Sequence, residues 1–148
     1  MRRVVAEALV GASRAEVWQL LDDLEDMPRW LPGVRAVASS GPARKGTLYR
    51  VRTSVLGLAR ARDWEIRDHR PPARQARVAR DGALELTLVL ALDVRGSGTR
   101  VRAELELRSA LAAPLGAVHE LVAAPCAVAD ARRLVGAVKR AFEGRPRR

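Results

Sequence analysis

The sequence is poor in aromatics, lysine and cysteine. Aromatic residues make up 3% of its 148 positions, with three tryptophans, one tyrosine and one phenylalanine. The single cysteine, Cys126, cannot form a disulfide within the chain, and with two histidines there is no Cys/His cluster for a zinc site. No metal and no cofactor are therefore expected. No apolar run approaches the ~20 residues that a membrane helix needs. The opening Met1-Arg2-Arg3 leads into a strand-like stretch containing Glu7, not into the apolar centre of a signal peptide. The expected compartment is the cytoplasm. Lysine supplies only two of the 27 basic residues. That bias, with abundant alanine, matches the codon usage of a GC-rich bacterial genome.

What the chain has instead is alanine and arginine, which fill about a third of it, within a hydrophobic fraction of 48%. That fraction excludes a disordered chain, and the length suits one domain with a real core. The formal net charge is +10. Residues 132–148 hold seven basic side chains against Glu143, and Arg2 and Arg3 add two more. Residues 4–131 hold 18 basic and 16 acidic side chains, close to balance. A duplex-binding domain spreads its cations over one face among polar and aromatic readers. Here the excess sits at the two ends, as suits a helix C-terminus. No nucleic-acid partner is expected, whereas a basic tail over 145–148 leaves an acidic partner or membrane surface as one reading.

The apolar spacing orders the elements. Val4 to Val10 alternates as a strand. Ser13 and Glu16 form a capping box, and Val17, Leu20, Leu21 and Leu24 follow at helical spacing. The acidic stretch Asp22 to Asp26 reads as a solvated helix end. Pro28 and Pro32 bracket about one more turn around Trp30. The period then becomes two. Strands are expected over Val34–Ser39, Leu48–Val55, Ala59–His69, Gln75–Arg80, Leu84–Leu92 and Val101–Leu107, separated by turn residues. After Pro114 the period returns to 3.6, giving one long helix from Leu115 to Glu143 with Pro125 inside it.

The expected fold is therefore α+β: a curved seven-stranded antiparallel sheet wrapped around a long C-terminal helix, with two short helices after the first strand. Residues 1–144 form one domain. Short segments of this order resemble the SRPBCC superfamily, the helix-grip fold of START lipid-transfer domains and the birch pollen allergen. Ala12-Ser13-Arg14-Ala15-Glu16-Val17-Trp18 is similar to its entry into the first helix, and Met27-Pro28-Arg29-Trp30-Leu31-Pro32-Gly33-Val34 to its next element. Asp68-His69-Arg70-Pro71-Pro72-Ala73-Arg74 resembles the corner between two middle strands, and Gly98-Thr99-Arg100-Val101 the start of the last strand. Among its branches the chain looks most like polyketide cyclase/dehydrase-like proteins. The resemblance implies a hydrophobic or aromatic small-molecule ligand held between sheet and helix. It implies either cyclase/aromatase-like chemistry or a non-catalytic lipid or quinone carrier. Oligomeric state is open.

Several residues are candidates for that site. Trp30, on the turn that caps such a cavity, is suited to a flat ligand. Tyr49 is either a pocket donor or an ordinary core aromatic. Gln75, Arg77 and Ala79 share one face of their strand, and the strand alone does not fix which face looks inward. Arg77 stands where the family carries a bulky apolar residue. It is either a solvated outward arginine or a buried cation able to hold a phenolate, enolate or carboxylate. His119, Val122 and Cys126 recur at helical spacing and so share a helix face. His119 is a candidate acid–base group and Val122 and Cys126 are candidate lining residues. His119 and Cys126 stand two turns apart, about 10 Å, too far for direct bonding.

Overall fold

The protein is described from a computed structural model covering residues 1–55 and 57–143. The expected basic tail at 145–148 lies outside the described residues. β1 (Arg2–Val10) is followed by α1 (Arg14–Asp22), a 3₁₀ turn at Leu24–Asp26 and α2 (Met27–Trp30). Six more strands then run in sequence: β2 (Val34–Ser39), β3 (Leu48–Val55), β4 (Leu58–Arg70), β5 (Arg74–Asp81), β6 (Leu84–Arg95) and β7 (Gly98–Ser109). The long helix α3 (Leu115–Phe142) closes the fold and passes through Pro125 without ending.

The strands form one seven-stranded sheet in the order β1-β7-β6-β5-β4-β3-β2, antiparallel throughout. The meander β2 to β7 is a chain of local hairpins, and only β1 pairs across the length of the chain, with β7. Ser13 caps α1 as its spacing predicts: the Ser13 hydroxyl accepts the Glu16 N–H at 3.2 Å. Thr99 ties this corner to the sheet by donating to the Ala12 carbonyl at 2.8 Å from a buried position. At Gly98 the chain passes so close to the Val10 carbonyl that a Cβ would overlap it, so glycine is required there.

Strand register decides which side chains face inward. Rows of paired residues run across the inner face, among them Val4–Leu105–Leu88–Arg77–Ile66 and Leu107–Leu86–Ala79–Trp64–Tyr49. A bulge at Arg67 interrupts the β4–β5 pairing. It reverses the alternation, so Ile66 and His69 both face inward, opposite Arg77 and Gln75.

α3 packs its buried stripe (Gly116, Glu120, Ala127, Ala131, Val135 and Val138) onto β1 and β7. On the same inner face, α1 packs over β6 and β7 and α2 over β2. The apolar interior is divided accordingly into three clusters. One joins α1, α3, β1, β6 and β7 around Val17, Leu21, Leu90 and Val138. A second holds Met27, Tyr49, Val51 and Ile66. The third holds Ala79, Leu86, Leu107 and Ala127. Among the described residues, no helix is long and apolar enough to cross a membrane.

Candidate functional site

The seams between these clusters point to a candidate site. Trp30 touches the first and second clusters, Trp64 the second and third, and Leu88 the first and third. All three are only half-buried, although they sit inside the grip of the helices. Two are immediate cross-strand neighbours of polar residues on the inner face: Trp64 pairs with Tyr49, and Leu88 with Arg77.

Arg77 is buried, at 3% exposure, and points inward. The outward alternative fails because Val78 and Ala76 take the other face, leaving Gln75, Arg77 and Ala79 toward the helices. Its guanidinium makes three directed hydrogen bonds. Nε donates to Gln75 Oε1 at 2.8 Å, one terminal nitrogen to the Tyr49 hydroxyl at 3.2 Å, and the other to the Leu21 carbonyl at 2.8 Å. Leu21 lies in the last turn of α1, where carbonyls lack helical partners and the dipole end is negative. Arg77 thus reaches from the sheet to cap that helix. None of the ion pairs among the described residues includes Arg77. A buried cation held by neutral acceptors retains much of its capacity to attract an anion.

The string continues beyond Arg77. Gln75 is fully buried and donates to Asp22 Oδ1 at 3.2 Å. Asp22 also meets His69 Nε2 at 3.0 Å, and the His69 ring lies 5.3 Å from that of Trp18. At the other end the Tyr49 ring stacks on Trp64 at 6.4 Å, with Arg77 5.5 Å from the Tyr49 ring centre. Burial pushes the Tyr49 phenol above its ordinary value, with Arg77 opposing the rise. Tyr49 is therefore a neutral phenol. It accepts from Arg77 and keeps a proton to donate. Tyr49 and Arg77 thus set a phenolic O–H and a cation side by side in a low-dielectric interior.

Of the residues singled out from the sequence, the structure brings Tyr49 and Arg77 together and sets Trp30 at a seam of the same interior. The others fall elsewhere. His119 Nδ1 lies 2.9 Å from the Ser109 hydroxyl, tying the start of α3 to the end of β7. Val122 and Cys126, expected to line the cavity, are exposed instead. The correction follows from helix phase: Ala127 faces the sheet, and Val122 stands about 140° around the helix from it. A second correction concerns the acidic stretch. Asp22 is not a solvated helix end but a half-buried member of the polar string. Asp22 and His69 are the members that sequence reasoning missed, because the α1 terminus and the Arg67 bulge that aim them inward leave no signal in hydrophobic spacing. Arg50 faces outward and pairs with Asp63 at 2.7 Å. Among the described residues, no three of His, Cys, Asp or Glu gather as metal ligands do.

Two surface grooves lie away from this string. One of about 550 Å³ runs between β1 and α3 beside Leu9, Arg132 and Lys139. One of about 390 Å³ lies beside Met1, Leu111 and Glu120. Both are open to solvent; no buried polar side chain lines the first, and the second has Glu120, which is taken up by the Met1 ammonium and the Ser109 N–H. The candidate site is therefore the interior face at Tyr49 and Arg77.

Comparison with known proteins agrees with this architecture. Residues 1–143 match the family described as Polyketide cyclase / dehydrase and lipid transport. No curated protein matches the chain in sequence. Solved structures do match in fold. The protein TTHA0849 from Thermus thermophilus superposes with a TM-score of 0.75 at 18% identity, over 94% of this chain and 95% of that one. A START superfamily protein from Mycobacterium smegmatis gives 0.68 at 15% identity, over 94% and 98%. The di-domain ARO/CYC protein BexL from the BE-7585A biosynthetic pathway gives 0.74 at 19% identity. There 95% of this chain covers 46% of BexL, so the chain spans about half its length.

Proposed function

Since the chain belongs to the polyketide cyclase/dehydrase and lipid transport family, we propose that it binds an apolar or aromatic small molecule between the inner face of the sheet and α3, with an anionic or enolisable oxygen of the ligand held by Tyr49 and Arg77. The observation that carries this reading is the buried guanidinium of Arg77, bonded among the described residues to Gln75, Tyr49 and the Leu21 carbonyl, beside the half-buried Trp64 and Leu88. An interior that had only to be stable gains little from a desolvated arginine, since apolar residues of similar volume serve as well or better.

In this reading the aliphatic rows on β6 and β7 hold the body of the ligand, and Trp30 lies against its flat face. Tyr49 and Arg77 fix one oxygen. The same contacts strengthen as charge develops on that oxygen, so a polyketone would be folded and its enolate stabilised, the requirements of cyclisation. Tyr49, as a neutral phenol, donates a hydrogen bond to that oxygen. The work is assigned to the cytoplasm, where the exposed thiol of Cys126 stays reduced.

A lipid or quinone carrier is the second reading, favoured by the aliphatic character of Leu86, Leu88, Leu90, Leu105 and Leu107 on the inner face. Native mass spectrometry of protein purified from its own host tests both. A retained molecule with an acidic or enolisable oxygen, absent from an Arg77→Met variant, supports the first reading. A retained neutral lipid in both proteins supports the carrier. A bare wild-type mass under conditions that preserve weak complexes contradicts either.

A further inference from the structure

The outward face of α3 is divided in a way that ligand binding between helix and sheet does not use. Its buried stripe, from Gly116 to Val138, faces the sheet. The opposite side begins with Leu115, Val118, Leu121 and Val122, which are 64%, 54%, 53% and 71% exposed. Pro125, Cys126 and Ala129 continue it, all exposed. From there the same side turns basic, with Arg132, Arg133, Lys139 and Arg140 exposed. At about 100° per residue these two groups fall on one continuous face. The apolar half, from Leu115 to Ala129, is about 20 Å long. Asp130, paired with Arg133 at 3.4 Å, is the acidic group at the junction.

Four large aliphatics exposed side by side are uncommon on a monomer's surface and call for a partner. The adjoining cations state its charge. An apolar stretch with a basic end matches an anionic lipid surface, where aliphatic side chains enter the acyl boundary and arginines meet phosphate headgroups. A second copy fits less well. Antiparallel pairing through this face sets the arginines of one helix over the aliphatics of the other, and parallel pairing sets like charges side by side. The face also lacks the tryptophan or tyrosine anchors that dominate protein interfaces.

We propose that the outward face of α3 docks on anionic membranes, with Leu115, Val118, Leu121 and Val122 entering the bilayer surface and Arg132, Arg133, Lys139 and Arg140 on its headgroups. Docking leaves the sheet-facing stripe of α3 undisturbed.

The test uses the full chain and vesicles of phosphatidylcholine with or without phosphatidylglycerol. Cys126 is the sole cysteine and lies on this face, so an environment-sensitive label there reports insertion directly. The expected result is co-sedimentation and a blue-shifted label with phosphatidylglycerol present, weakened by salt, and neither with phosphatidylcholine alone. Val118→Asp with Val122→Asp, both at exposed positions, should abolish binding while circular dichroism stays unchanged. Arg132→Gln with Arg133→Gln should lower partitioning about thirtyfold. Failure to bind anionic vesicles overturns the proposal. So does binding that survives the aspartate pair, which assigns it to another basic segment. A dimer dissolved by the aspartate pair would show that a second copy covers this face, and also overturns it.

Discussion

Replacing Arg77 by methionine separates a residue kept for ligand from one kept for stability. The substitution retains most of the apolar stem and removes the cation. It leaves two buried acceptors, Gln75 Oε1 and the Leu21 carbonyl, without their donor. Each such loss costs about 1–3 kcal/mol. Losing a cation from the end of α1 adds about 0.3–1 kcal/mol. Against this stands the several kcal/mol spent in desolvating a guanidinium that has no carboxylate bonded to it. The terms oppose one another, so the variant should lose no more than about 3 kcal/mol. For a chain of this size that lowers the melting temperature by about 6–12 °C. Its affinity for an anionic aromatic probe such as 2-naphthoate should fall at least about tenfold, because about 1.4 kcal/mol of charge attraction suffices for that factor. Urea melts followed by circular dichroism give the first quantity and calorimetric titration the second. A stability loss of about 5 kcal/mol or more, with affinity unchanged in the residual fold, would refute the reasoning and make Arg77 a structural pin for α1.

Further outcomes follow from the same geometry. Tyr49 is the only tyrosine, so its ionisation is visible in near-ultraviolet absorbance without interference. Burial raises its pKa above the ordinary 10.0, so the tyrosinate band should appear later than in the unfolded chain, and later still in Arg77→Met. The linked stability is complete below pH 10 and is lost as pH climbs through the raised folded value. Gly98→Ala drives a methyl into the Val10 carbonyl and should destabilise by about 1–3 kcal/mol, read from thermal melts. Leu90→Ala, at a position 1% exposed in the first cluster, should cost about 2–5 kcal/mol. Thr99→Val keeps the shape but deletes the bond to the Ala12 carbonyl and should cost about 1–3 kcal/mol, with no effect on probe affinity.

The fold was legible because its signals are periodic. Leu84, Leu86, Leu88, Leu90 and Leu92 alternate without a break, and Ser13 with Glu16 announces a helix that forms as expected. The seven strands and the long helix fall within a few residues of their expected bounds. The candidate site was only half legible. Parity placed Arg77 with Gln75 and Ala79, yet inward or outward depended on neighbours the strand does not contain. Tyr49 faces inward, as the clean alternation of β3 requires. His69 did not, because the bulge at Arg67 shifts it from the outer to the inner face. Asp22 reads as one of a run of acids, and only the packing of α1 on the sheet separates it from Asp23 and Asp26. Val122 and Cys126 share a face with each other as their spacing requires. The sheet takes the stripe through Ala127 and Ala131 instead, because small side chains let the helix approach β1 and β7 closely.

The central claim is that Tyr49 and Arg77 stabilise an oxyanion on an apolar ligand, and a bound phenol tests it most directly. An apolar cavity raises the pKa of a phenol inside it, whereas a cation within ~4 Å favours the phenolate by about 4 kcal/mol at an effective dielectric near ~20. The measurement is the ionisation of 2-naphthol bound to the protein, followed by absorbance against the free compound. The account predicts a pKa about 1–3 units below the free value in the wild type, and above the free value in Arg77→Met. A bound pKa raised in both proteins would contradict it.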